Sequence, residues 1–130
     1  MAINCNTFYS EAVKLLVDEA ADAFTYMAVG TGTGQTAAST TLKTESTASG
    51  LTRAAATCSS ETTTVTDDTC QWTHTWTAGA SATITEVGVF NNSTKDAGDM
   101  AFYGELSPAA GLTSGSTLTV TCKTQLKAAT

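Results

Sequence analysis

Residues 69–91, TCQWTHTWTAGASATITEVGVFN, decide how this chain is read. Cys70, Trp72, His74 and Trp76 alternate with Gln71, Thr73, Thr75 and Thr77, the period-two pattern of a strand with one face turned inward. Ala78-Gly79-Ala80-Ser81 is a run of small turn residues, and alternation resumes after it, so the stretch predicts a β-hairpin. Ala82 and Ile84 share one parity while Val87 and Val89 share the other. A β-bulge near Thr85-Glu86 would return all four to a single face. The chain has few aromatic residues, and each indole can bury a large area, so the two tryptophans mark this hairpin as the centre of the core. The expected core is Trp72, Trp76, Val87 and Val89, joined by Leu118 and Val120 from the last strand.

A chain of 130 residues suits one domain and can bury a core without metal or disulfide support. Threonine fills 28 positions, and its β-branched side chain favours pleated surfaces, so composition points to sheet. The net charge of −6, with no basic patch against it, argues against nucleic acid as a partner. MAINCNTFYSEA has neither a basic start nor an apolar run, so no secretion signal is expected, and no stretch is long enough to span a membrane. Synthesis in a cytosol follows as the expectation, and the sequons at Asn91 and Asn92 are read as chance in a polar turn.

Taken in order, residues 7–22 predict the one helix. Thr7 is its expected N-cap, and Phe8, Ala12, Val13, Leu15, Leu16, Val17 and Ala20 form its apolar stripe. Phe24 to Val29 predicts a strand buried on both faces. Gly30-Thr31-Gly32-Thr33-Gly34 lacks the Lys-Ser/Thr ending and the following helix of a phosphate loop, so it reads as a flexible turn. Residues 35–50, with Leu42 as the single apolar anchor, read as a long surface excursion ordered by a partner. Strands are expected at 51–58 (continuing at 62–65), 100–106 and 117–126, with a turn at Thr66-Asp67-Asp68. Loops are expected at 91–99 and 107–116. The sum is a mainly β fold: a single antiparallel β-sandwich domain over 1–130, jelly-roll-like or Ig-like, with an N-terminal arm and helix over 1–22.

Catalytic chemistry finds little footing. His74 is the single histidine, on an apolar face between tryptophans, where a core or interface histidine is expected rather than a ligand. No CxxC pair supports zinc and no GxSxG supports a nucleophile. Asp67-Asp68, Asp96 and Asp99 read as solvated turn residues. Glu86, at the expected bulge, reads as a carboxylate held by backbone amides. Neither an enzyme nor a cofactor is expected. Four cysteines allow three complete pairings. Cys58–Cys70 is the pairing favoured, because one turn joins their strands; Cys5 and Cys122 would then pair or stay free.

Three segments carry a resemblance: 24–33 (FTYMAVGTGT), 51–54 (LTRA) and above all 84–91 (ITEVGVFN). Together they resemble small structural proteins of tailed-bacteriophage virions, of the capsid-decoration or tail-fibre-like kind. The likeness runs from the helix to the last strand, although the Cys and Trp pairs fall outside it. It implies a virion component, made in the host cytoplasm and without catalysis. The first expectation is a capsid decoration or cement protein; a tail-associated or fibre-like protein is the alternative. A different class, a carbohydrate-binding sandwich, would need Trp72, Trp76 or Tyr103 in an open row for sugar rings. Few lysines guard the strand edges, so a homo-oligomer is expected, a trimer first, docked on a major capsid protein or tail lattice. Residues 1–6 and 35–50 look too poor in apolar side chains to fold onto their own domain, and are the expected docking segments.

Overall fold

The computed structural model describes residues 2–127. In chain order it runs β1 (Ala2–Asn4), α1 (Asn6–Leu16), β2 (Tyr26–Gly30), β3 (Ala54–Ala55), β4 (Thr57–Glu61), β5 (Thr69–Thr77), β6 (Ala82–Phe90), β7 (Met100–Leu112) and β8 (Thr117–Gln125). One antiparallel sheet has the order β1-β7-β6-β2-β3 and the other β4-β5-β8. The two inner faces meet in one cluster holding Trp72, Trp76, Ile84, Val87, Val89, Phe102 and Val120, with Leu118 partly buried against it. The fold is therefore the mainly β sandwich with one N-terminal helix that alternation predicts.

The central pair of strands corrects the hairpin reading. β5 pairs with β4 and β8, whereas β6 pairs with β2 and β7, so residues 78–81 form an arch from one sheet to the other. The linker bonds outward rather than to itself. The Ala78 amide donates to the Ser116 carbonyl and the Gly79 amide to that of Ser49, both at 2.8 Å. Period two reports which side of a strand is buried, and that is the same whether its neighbour lies beside it or across the core. The bulge is where it was expected: the β6–β7 register shifts between Ile84 and Glu86. The same shift lets β7 run on to Leu112 through residues expected to form a loop. Ile84 faces Ala110 and Glu86 faces Glu105, so Pro108 falls in the stretch where no ladder bond needs its missing N–H.

Residues 31–50 form a third layer. β2 is buried on both faces because Met27 and Val29 enter the main core while Ala28 joins Leu42, Phe90, Met100, Tyr103 and Cys5 in a second cluster. Leu42 closes that cluster from outside the larger sheet. A Cβ on Gly88 would meet Phe90, Met100 and Leu42 within 2.8–3.1 Å, so only glycine lets the layers approach this closely.

The helix ends sooner than its pattern. It spans Asn6–Leu16, Cys5 takes the N-cap position, and Asp18 closes the C-terminus at φ 59°, a left-handed conformation that Asp tolerates. Thr7 instead donates its hydroxyl to the Met100 carbonyl at 2.5 Å. No described helix is long and apolar enough to cross a membrane.

Candidate functional site

The most constrained chemistry in the molecule surrounds Glu86, which is completely buried on the outer side of the five-stranded sheet. Its Oε1 accepts from the amides of Thr44 (2.9 Å) and Gly32 (3.1 Å), and its Oε2 from the Lys43 amide and the Gln35 side chain (both 3.3 Å). The glycine run is therefore an anion cradle whose anion is the chain's own carboxylate. A Cβ on Gly30 would sit 2.6 Å from Glu86 Oε1, so these glycines admit the carboxylate by lacking side chains. Glu105, paired with Glu86 across the strands, accepts from the Gly34 amide at 3.0 Å, and the Thr85 hydroxyl donates to the Gly32 carbonyl at 2.8 Å.

A second buried centre lies beside it. Arg53, the single arginine, grips Glu45 in a two-point pair at 2.7 and 2.9 Å, with both side chains at most 2% exposed. The same guanidinium donates to the carbonyls of Asn92 and Ala97 at 2.9 Å and stacks 3.7 Å above the Phe90 ring. Sequence reasoning missed this pair. The available signal was a lone arginine inside LTRA, with Glu45 eight positions earlier.

These contacts correct the expectation that residues 1–6 and 35–50 take their order from a partner. Residues 35–50 are held by Glu86, Arg53 and Leu42 rather than waiting for a partner. The N-terminal arm is likewise part of the domain: β1 pairs with β7, the Cys5 amide donates to the Ala101 carbonyl at 2.8 Å, and Thr124 donates to Asn4 at 2.8 Å. Counting apolar residues failed here because buried carboxylates and main-chain pairing supply the order.

The tryptophans are also occupied internally. Trp72 and Trp76 are 6% and 3% exposed, and their indole N–H groups donate to the Phe24 and Thr52 carbonyls, each at 2.8 Å. Tyr103 is fully buried. The open aromatic row that sugar stacking requires is not formed by these three side chains. His74 is half-buried and packs edge-on against Trp76, ring centres 4.6 Å apart.

The cysteines fall out of register for the favoured bridge. Cys58 lies opposite Trp72 and Cys70 opposite Ser60, a diagonal offset of about 7–8 Å between Cα atoms, beyond what a disulfide spans without backbone movement. All four thiols are free. Burial pushes Cys5 up to about 11 and Cys122 up to about 12, whereas Cys58 is exposed. Iodoacetamide at mildly alkaline pH is expected to label Cys58 first, Cys70 more slowly, and Cys5 and Cys122 only after unfolding. Peptide mapping that found Cys5 or Cys122 labelled ahead of Cys58 would contradict the packing.

The 66–68 turn forms as expected and carries a further carboxylate. Asp68 accepts from the amides of Val65 (2.9 Å), Thr63 (2.9 Å) and Thr64 (3.0 Å), from the Thr69 hydroxyl (2.8 Å) and from Gln125 (2.7 Å). These donors, the Val65 amide foremost, hold its acidity well below the usual carboxylate range. A carboxylate with a lowered folded pKa stabilises the fold above its unfolded value, about 3.9, and loses that contribution as pH falls further. Urea midpoints should therefore drop below about pH 4 in the wild type and drop less in Asp68→Asn, which should already be less stable at neutral pH. Parallel acid profiles for the two proteins would rule Asp68 out as the source.

The three-stranded sheet has a polar outer face. Its outer face carries cross-strand threonine pairs, Thr73 with Thr121 at 3.2 Å and Thr75 with Thr119 at 2.7 Å. β4 and β8 are its edges, and Lys123 is the single lysine in the nine residues of β8. Among the described residues no three His, Cys, Asp or Glu side chains gather to hold a metal.

A β-sandwich that turns its carboxylates and glycines to bracing its own loops, and presents a threonine-covered sheet, has the build of a structural module. The chain belongs to the family described as podophage GP4 fiber I protein gp80, whose model matches residues 15–127; it is a phage virion structural protein. No curated protein and no solved structure matches the chain.

Proposed function

We propose that this protein is a fibre component of a podophage particle that works by self-association and docking, without catalysis or cofactor. The family description, which names a fibre, supports that placement over the capsid shell favoured by the sequence resemblance. The observation that carries the assembly role is the open edge of β8. It is nine residues long and flanked by threonines, with one lysine to discourage pairing with another chain. Its neighbouring face is polar, with threonine pairs across β5 and β8, which suits wet contacts of the kind found at interface rims.

Labelling particles of the encoding phage with gold-conjugated antibody against the folded protein tests the placement. The expected result is label confined to the fibres. Label spread over the shell at lattice spacing would overturn the fibre reading in favour of capsid decoration, and unlabelled particles would remove the virion role altogether.

A further inference from the structure

The buried Arg53–Glu45 centre stiffens a loop that borders an open cleft. Arg53 holds the Asn92 and Ala97 carbonyls at 2.9 Å, and Glu45 Oε2 accepts from the Asp96 amide at 3.2 Å. Inside the loop, Asn91 Oδ1 accepts from the Asp99 amide and Asn92 Oδ1 from the Thr94 amide, both at 2.8 Å. The opposite wall is fixed as well. Thr25 donates its amide to the Phe90 carbonyl (3.1 Å) and accepts from the Ala56 amide (2.8 Å). Between these walls lies a cleft of about 400 Å³, whose polar lining is Asp22, Thr25, Tyr26, Asn91, Asn92 and Ser93. Asn91 and Asn92, incidental sequons in the sequence, thus stand on a preorganised wall.

We propose that this cleft binds a neutral pyranose sugar. Three observations select that ligand. First, its polar groups are uncommitted. Both asparagine oxygens are taken by the loop's own amides, which leaves each NH2 to donate, and among the described residues the side chains of Asp22, Thr25, Tyr26 and Ser93 make no hydrogen bond. The fixed carboxylates elsewhere, Glu86 and Asp68, are by contrast consumed by the chain itself. Second, the set is mixed. The free asparagine groups donate, Asp22 accepts, and the three hydroxyls do either, which matches a ligand whose every hydroxyl both donates and accepts. An anion is disfavoured: among the described residues no lysine or arginine lines the cleft, and Asp22 and the net charge of −6 oppose it. A hard cation would meet a single carboxylate. Third, Tyr26 packs against the second cluster and also lines the cleft, so an aromatic ring is held there for the C–H face of a pyranose. It is not one of the three side chains whose burial removes the open aromatic row.

Titration of the isotope-labelled full chain with the methyl glycosides of glucose, galactose, mannose and N-acetylglucosamine, followed by amide NMR shifts, tests the site. At least one glycoside is expected to bind with a roughly millimolar dissociation constant, the range for so small a ligand. It should move the backbone amides of Thr25, Tyr26 and Asn92 and the side-chain NH2 groups of Asn91 and Asn92, and leave the threonine pairs of β5 and β8 in place. Asp22→Ala removes an exposed acceptor, and Asn92→Asp deletes a donor while keeping the oxygen that Thr94 uses. Each should weaken binding by about tenfold. Should Asn92→Asp disturb the loop, Asp22→Ala and the wild-type shift map decide. The proposal is overturned if no glycoside moves these amides at concentrations on the order of 50 mM, or if the shifts fall outside the cleft. Binding that Asp22→Ala leaves intact overturns it too, as do phosphate or calcium ions that move the same amides where the glycosides do not. These outcomes are read on purified protein, so they stand apart from whether the particle carries it on fibres.

Discussion

Glu86→Ala is expected to lower the stability of the domain by on the order of 3 kcal/mol, because it takes a fully buried carboxylate away from the donors that hold it. The carboxylate accepts four hydrogen bonds, three of them from main-chain amides of Gly32, Lys43 and Thr44. With alanine in its place those amides lose their buried acceptor, and a donor left unsatisfied costs on the order of 1–3 kcal/mol where water cannot replace the carboxylate. The layer relieves that cost by opening, which uncovers Leu42 and the second cluster beneath it. Hydrogen exchange should therefore accelerate at Gly32, Lys43 and Thr44 before it does in β5 or β8. Glu86→Gln should cost less, because one acceptor oxygen remains, yet its amide group turns donors toward donors. A Glu86→Ala protein with wild-type urea stability and unchanged exchange in the layer would show that the cradle does not hold it.

Trp76→Ala and Trp72→Ala should each cost about 3–5 kcal/mol, the usual range for truncating a buried large aromatic side chain. Each indole fills space between the two sheets, and each donates an N–H to a backbone carbonyl on the far side: Trp72 to Phe24, Trp76 to Thr52. Phe24 leads into β2 and Thr52 into β3, so the tryptophans set the spacing of the sheets and brace the entry to two strands of the other sheet. Trp76→Phe keeps most of the packing and drops the bond, so it should fall between wild type and alanine. Urea midpoints read all of these. Near-wild-type stability for both alanine variants would mean that the indoles are not the centre of the core.

The inner faces were legible from alternation alone. Trp72, Trp76, Val87, Val89 and Val120 are all in the main cluster, and the bulge stands between Ile84 and Glu86, because burial of one face imposes a period of two wherever a strand is half-covered. β2 was legible for the complementary reason, its continuous apolar run reporting cover on both sides. Pairing was not legible. The small residues 78–81 serve a tight hairpin and an inter-sheet arch equally well, and the choice rests on Ser49 and Ser116, 30 and 38 residues away from the donors they meet. The helix shows the converse: its stripe predicted more turns than form, since an apolar pattern fixes a face and not what covers it.

What the amino-acid sequence determined by itself was local and periodic: the strands at 26–30, 69–77, 82–90 and 117–125, the inward faces, the 66–68 turn, a helix near the N-terminus, and the class of virion structural protein through three short motifs. The tertiary structure alone decided which strands share a sheet, that Arg53 finds Glu45, and that a glycine run resembling a phosphate loop closes on Glu86 fifty-four residues from Gly32. The physical reason is the range of each interaction. Side-chain alternation follows from the backbone of one strand, whereas a buried carboxylate is stabilised only when donors distant in sequence converge on it, and no pattern within a window of residues records that convergence.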